Sequence, residues 1–195
     1  MLIFVRHGRT KANAAGLLQG HVDNPLDELG ERQARAIARA LGDVGAARVV
    51  SSPLLRARQT AEALGRPVEI EERFIELDYG ALDEVPVRDV GSDTWARWRS
   101  DPDFVPAGGE SLAALQARVE AACIDYAPDA AERDVIVFSH VSPIKAAVAW
   151  ALGVGPETSW RMNLGQATIS RIRTAPGTPA LLSFNNDAHL IETLR

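Results

Sequence analysis

Leu2-Ile3-Phe4-Val5 is an apolar run of β-formers that passes without a spacer into Arg6-His7-Gly8. The run reads as a buried strand, and a cation, an imidazole and a glycine stand at its carboxyl end. Open α/β sheets carry their ligands at that edge, and a glycine there lets the main chain approach an anion closely. On this reading His7 points into a pocket as a nucleophile or base, beside a phosphate held by the two-pronged guanidinium of Arg6. A strand-end histidine that only hydrogen-bonds the backbone is the alternative, and this stretch alone does not separate the two.

The rest of the chain alternates strand and helix patterns. After a loop over 14–25, Asp27 caps a helix with Ala34, Ile37, Ala38 and Leu41 on one face, closed by Gly42. Arg48 to Ser52 reads as a second strand, and Pro53 suits the first turn of a helix that buries Leu54, Ala57, Ala61 and Leu64 and stops at Gly65. Val68 to Glu71 is a third strand candidate. Asp83 to Glu110 is rich in proline and glycine around a short helical piece at Trp95 to Trp98, and is predicted to be an insertion over 81–110, either a lid or a passive excursion. Ser111 caps a long helix through Leu112, Leu115, Val119, Ala122 and Tyr126. Val135-Ile136-Val137-Phe138 is apolar at every position, as a central parallel strand must be. Ser139-His140 follows at once, then a helix that Ser142 caps, Pro143 starts and Gly153 ends. Ala167 to Arg173 and Leu181 to Phe184 are two further strands, a hairpin or an edge pair, around the turn residues Pro176-Gly177-Thr178-Pro179. The pattern predicts a three-layer α/β/α fold with a mostly parallel central sheet and a single domain over 1–195.

Composition removes several classes of function. A net charge of −5 disfavours nucleic-acid and anionic-membrane partners. Cys123 is the one cysteine, so no intrachain disulfide forms; it lies in a helical apolar stripe and reads as a core thiol. With no basic leader before the first strand and no apolar run of membrane-spanning length, the expected location is cytoplasmic. His7, His21, His140 and His189 have no close-set ligand spacing, so no metal site is expected and His189 reads as a capping or packing residue.

Two strands end in histidine, and the second precedes a helix whose first N–H groups face any anion at the strand end. His7, His140 and Arg6 at one sheet edge make a positive pocket for a tetrahedral oxyanion. At this point the residues carry a resemblance over almost the whole chain. Arg6-His7-Gly8-Arg9-Thr10 with Asn13, Gln19-Gly20, Pro25-Leu26-Asp27 with Gly30 and Gln33-Ala34, Ser51-Ser52-Pro53-Leu54 with Arg56, Gln59 and Thr60, Glu76 with Tyr79-Gly80, Gly109-Glu110-Ser111, Ser139-His140, and Asn186-Asp187 with His189-Leu190 resemble, in order and spacing, the blocks of the histidine phosphatase superfamily, in its phosphoglycerate-mutase-like phosphatase branch.

The resemblance implies a phosphomonoester hydrolase that needs neither metal nor other cofactor. His7 attacks phosphorus and becomes a phosphohistidine, kept neutral by Arg6 and Arg56, while Arg6, Arg56 and His140 neutralise the phosphoryl oxygens. Asn13 adds a neutral donor, and Gly8, Gln19, Gly20, Tyr79 and Val141 lie on the substrate side. Glu76 is the expected proton donor to the leaving oxygen and acceptor from water, with Asp78, Asp83 and Glu84 as competitors. Glu110 either orients an arginine or favours the helix start after it. Arg9 stands where the family commonly has glutamate or glutamine, and an added positive charge at the mouth predicts an acidic substrate.

Mutases of the family hold their intermediate with a lysine after the acid block and a paired arginine. That lysine's spacing falls near Val87 and Arg88, no Arg-Arg pair occurs, and Val141-Ser142 replaces Gly-Asn. A phosphatase acting on a small phosphorylated metabolite is therefore expected, with a mutase as the alternative. A catalytically silent phosphate-binding module is a third reading, disfavoured by the presence of both His7 and Glu76. Specificity is expected from 81–110 and from 14–21, and a homodimer stays open.

Overall fold

In a computed structural model that describes residues 1–46, 48–175 and 177–191, the sheet has six strands in the order β3-β2-β4-β1-β5-β6. They are β1 (Leu2–Arg6), β2 (Arg48–Ser51), β3 (Glu69–Ile70), β4 (Val135–Ser139), β5 (Ile169–Arg173) and β6 (Ala180–Asn186). The four strands from β3 to β1 are parallel; β5 runs antiparallel to β1, and β6 antiparallel to β5. The last two strands are thus both the expected hairpin and the edge pair. Of the turn residues between them, Pro176 lies outside the described residues.

Side chains on β1 alternate between two cores, as the pleat requires. Leu2 and Phe4 pack with α5 (Leu112–Glu132) and α6 (Val141–Leu152) through Leu115, Val119, Ile144 and Val148. Ile3 and Val5 pack on the other face against Ile37 and Leu41 of α2 (Glu28–Leu41) and Ala61 of α3 (Leu55–Glu62). Chain leaving β1 therefore turns to one face of the sheet, and chain leaving β4 to the other. A crevice opens between two such diverging connections, at the carboxyl ends of the strands. The register pairs Arg6 with Ser139, which puts the next residues, His7 and His140, side by side at its mouth.

Most helix boundaries follow the capping residues. Asp27 and Ser111 accept from Gly30 N and Ala114 N, and Gly153 closes α6 in the left-handed region. Apart from the end of α3, at Glu62 rather than at Gly65, three boundaries differ from expectation. Residues 11–15 form a short helix, α1 (Lys11–Ala15), because Thr10 and Asn13 make a reciprocal capping box and Gly16 adopts φ 69°. Pro53 precedes α3 rather than starting it, because Asp23 from a distant loop accepts the N–H of Leu55 and so fixes the helix start there. Ser142 does not cap α6; the helix starts at Val141 after His140, and the capping acceptor is the carboxylate of Glu76.

The 81–110 segment holds more helix than expected, α4 (Ser92–Ser100). It is laced to the first loop by Leu18 N to Val85 O (2.9 Å), Glu84 N to Leu18 O (2.9 Å) and Val87 N to Gly16 O (2.9 Å). No described helix is long and apolar enough to cross a membrane.

Candidate active site

The His7 ring is held from its own backbone. Its Nδ1–H donates to the carbonyl of Gly8 at 2.7 Å, which leaves the Nε2 lone pair free to act as a nucleophile. Its peptide is fixed on both sides, His7 N to Ser139 O (3.0 Å) and Ala167 N to His7 O (3.1 Å). Gly8 is a close-approach residue: a Cβ there would meet Gly30 O at 2.5 Å, and one on Gly30 would meet Arg9 O at 2.0 Å. The turn after β1 thus lies directly against the start of α2. Gly8 N–H donates to Thr60 Oγ1 at 3.1 Å, and that hydroxyl in turn donates to Arg56 O.

His140 is fully buried beside His7, with ring centroids 5.0 Å apart. Its Nε2 meets Ser52 Oγ at 2.7 Å, and its Nδ1 has no protein partner. Two guanidinium groups border the pair. Arg6 donates to Leu164 O at 2.6 Å, and Arg56 to Val22 O (2.9 Å) and Gly20 O (2.7 Å). Neither forms an ion pair among the described residues.

Arg6 Nε, Arg56 Nε, His140 Nδ1 and Gln19 Nε2 are buried without a protein partner. Two guanidinium groups beside one imidazole, with no carboxylate paired to either among the described residues, favour an anion with several oxygens. A phosphoryl group has that form. Asn13 commits its carbonyl oxygen to Thr10 N at 3.2 Å, which leaves its amide nitrogen for the same purpose.

Burial is the largest cause holding the His7 pKa well below its ordinary value of 6.5, ahead of Arg56 and then Arg6. The same is true of His140, where burial again leads, followed by Arg56 and His7. The guanidinium groups were expected to favour the neutral ring, and they do, but desolvation does more. Burial also lowers the Arg6 pKa, to about 10, and pushes that of Arg56 in the same direction.

Glu76 is buried at the edge of this group and accepts three backbone N–H bonds: Leu77 (2.8 Å) and Ser142 (3.1 Å) on Oε1, Val141 (3.1 Å) on Oε2. The first N–H groups of α6 are therefore committed to Glu76 and not open to a substrate anion as expected. Pro143 has no N–H, and Ile144 N bonds back to His140 O. Oε2, with one donor, keeps a lone pair that can exchange a proton. Arg118 holds the segment before Glu76, reaching the carbonyls of Arg73 (2.6 Å) and Ile75 (2.9 Å) while Glu110 grips its Nε at 2.7 Å. Of the two readings of Glu110, the structure supports the orientation of an arginine. His21 Nε2–H adds a bond to Glu76 O at 2.9 Å.

Several expected substrate contacts serve instead as supports. Gly8 and Gly20 have no free N–H; Gly20 N donates to Asp83 Oδ1 at 2.7 Å and its carbonyl accepts from Arg56. Asp83, a competitor for the acid role, staples that loop through Gly20 and Val22, and Asp78 accepts from Gly80 N. Arg9 is paired with Asp27 at 2.8 Å, so it brings no net positive charge to the mouth. His189, as expected of a packing residue, donates to Ala167 O at 2.8 Å and so steadies the residue that holds His7. Tyr79 and Val141 line an apolar cleft beyond Glu76, together with Lys145 and Trp160, which no sequence reading singled out. Ser52 and Thr60 were likewise passed over as positioning residues. Their signal was present: hydroxyl residues just after a buried strand and one helical turn after Arg56. Among the described residues no three of His, Cys, Asp and Glu are grouped to hold a metal ion.

Neutral histidine, unpaired guanidinium groups and a carboxyl at the end of parallel strands define a phosphoryl-transfer enzyme of the doubly wound α/β class. Residues 2–187 match the model of the histidine phosphatase superfamily (branch 1). Phosphoserine phosphatase 1 of Hydrogenobacter thermophilus is 33% identical, over 98% of this chain and 94% of that protein. A Yersinia enterocolitica protein named "Probable phosphoglycerate mutase GpmB" is 30% identical, over 88% and 83%. The structure of phosphoserine phosphatase from Entamoeba histolytica in complex with phosphoserine superposes with a TM-score of 0.89 at 27% identity, covering 97% of this chain and 98% of that one. The chain belongs to the histidine phosphatase superfamily, whose members act through a phosphohistidine, and is a phosphoric monoester hydrolase.

Proposed function

We propose that the chain hydrolyses phosphomonoesters of small metabolites with His7 as the nucleophile and Glu76 as the proton carrier. The observation that carries this reading is a histidine whose Nε2 is free, flanked by two guanidinium donors, Arg6 and Arg56, that no carboxylate ion-pairs among the described residues. With the phosphoryl oxygens on those donors, Nε2 attacks phosphorus in line. The bond to the alcohol oxygen breaks, and that oxygen takes a proton from Glu76. A water then gives its proton back to Glu76 as it attacks phosphorus; the P–N bond breaks and neutral His7 returns. Charge that spreads over the phosphoryl oxygens meets fixed guanidinium groups, so no cation enters either step. Asn13 Nδ2 completes the donor set.

The relatives that favour this reading include an enzyme named for phosphoserine, and a small phosphorylated metabolite is the substrate class it supports. A mutase reading has its own support in the relative bearing that name. Against it, Arg88 is 84% exposed and paired with Asp89, so nothing at the expected lysine position reaches the site. Incubation with 3-phosphoglycerate and a bisphosphate primer is expected to release inorganic phosphate or leave the substrate untouched; efficient formation of the 2-isomer would overturn the hydrolase assignment. Turnover of 4-nitrophenyl phosphate is expected to vanish in His7→Ala, and a variant that retained it would remove His7 from the mechanism. A single, fully buried Cys123 supports a cytoplasmic setting.

A further inference from the structure

The cleft that continues past Glu76 is aromatic. Tyr79, Trp95, Trp98 and Trp160 form much of it, and Val141 and Ser142, whose N–H groups hold Glu76, are the wall it shares with the reacting centre. The rings brace one another: Tyr79 to Trp98 at 5.6 Å, Trp95 to Trp98 at 5.7 Å and Trp98 to Trp160 at 6.2 Å between centroids. An alcohol that took its proton from Glu76 would have this space next to it. Flat, mutually packed indoles favour a flat apolar guest, and a small polar alcohol would leave them in contact with water.

One cation in the cleft is idle in the mechanism above. Lys145, one helical turn beyond Val141 on α6, is partly buried and makes no ion pair among the described residues. Burial lowers the pKa of its ammonium while Glu76 opposes the shift, so a second carboxylate brought by a ligand would restore it. Resting on the hydrolase reading, we infer that the preferred substrate is a phosphomonoester whose alcohol carries a flat apolar ring seated among these indoles and, on that ring, an anionic group that meets Lys145.

Glycerol 2-phosphate, benzyl phosphate and 4-carboxybenzyl phosphate test this, because all three are alkyl esters with comparable leaving oxygens. The expected kcat/KM rises at least tenfold from the first to the second and again from the second to the third. Lys145→Met is expected to bring the ratio of carboxybenzyl to benzyl ester near one, and Trp160→Ala to bring the ratio of benzyl to glycerol ester near one. Such ratios do not depend on how much of each variant is folded. Equal kcat/KM for the benzyl and glycerol esters in the native protein, or ratios unmoved by the variants, with 4-nitrophenyl phosphate still hydrolysed, would overturn the inference alone. No hydrolysis of any of the four esters would overturn the hydrolase reading and this inference with it.

Discussion

His7 can attack phosphorus only as a neutral imidazole, and its burial carries a signature in stability. Its folded pKa lies well below 6.5, as does that of His140, and the half-buried His189 is shifted the same way, chiefly by burial. In the unfolded chain these groups bind protons near pH 6.5, so the unfolded state takes up more protons as pH falls. The stabilisation is complete above the unfolded value and is lost as pH drops below it. From pH 6.5 to 5.5 the fully buried His7 and His140 are each expected to remove about 1 kcal/mol of unfolding free energy, read from urea midpoints, and His140→Asn should flatten the slope. A flat profile over that unit would mean that the imidazoles are charged in the fold. Glu76→Gln separates the two proton transfers. Alkyl phosphates are expected to slow by about 10²–10⁴, whereas 4-nitrophenyl phosphate, whose leaving group needs no proton, should give a burst of one equivalent and then stall at the phosphohistidine. Equal loss on both esters without a burst would take the acid-base role from Glu76. Arg6 and His7 drew notice because they stand where an apolar run stops, and Glu76 because its block resembles the acid-bearing one of the family. That Glu76 would claim the N–H groups of Val141 and Ser142 was not, because that bond joins segments far apart in sequence and only the folded sheet brings them together.

At the level of elements, α5 does more than cover the sheet. Arg118 lies on its first turns and ties the 73–76 segment to Glu110, so the carboxyl proposed as the proton carrier is positioned from this helix. Arg118→Met strands those carbonyls and the Glu110 carboxylate, and is expected to cost about 2–3 kcal/mol in chemical denaturation. A merely structural role would slow all esters alike. Positioning of Glu76 predicts a larger loss of kcat on alkyl than on 4-nitrophenyl esters, partly restored by Arg118→Lys. The long helices were legible because cap and stripe agree, as with Ser111 ahead of Leu112, Leu115 and Val119. Where the capping group comes from elsewhere, as Asp23 does for α3 and Glu76 for α6, local chemistry pointed to Pro53 and Ser142 instead. The α1 helix is the reverse case, since Thr10, Asn13 and Gly16 announced it and the loop reading passed over them.

For the molecule as a whole, alternation of strands and helices was enough to expect a mostly parallel three-layer fold. It did not say that β5 would turn antiparallel beside β1, a pairing made across most of the chain's length. That pairing matters to the site, because the chain entering β5 supplies the Ala167 N–H that holds His7 and the carbonyl of Leu164 that holds Arg6. Folding thus assembles two buried guanidinium groups with no carboxylate ion pair among the described residues, an arrangement short of its anion. An anion that binds only the folded form raises stability by about 2.7 kcal/mol at a hundredfold excess over its dissociation constant. For a domain of this size each kcal/mol moves Tm by about 2–4 °C, so saturating orthophosphate is expected to raise Tm by about 5–11 °C over chloride at equal ionic strength. Arg6→Met removes one of the two charges and leaves a single carbonyl, that of Leu164, to be refilled. Its phosphate response should fall below about 2 °C, while its Tm in chloride changes by less than the native protein's phosphate shift. If variant and native protein gain equally from phosphate, the anion sits elsewhere and the cradle around His7 is not where the molecule holds it.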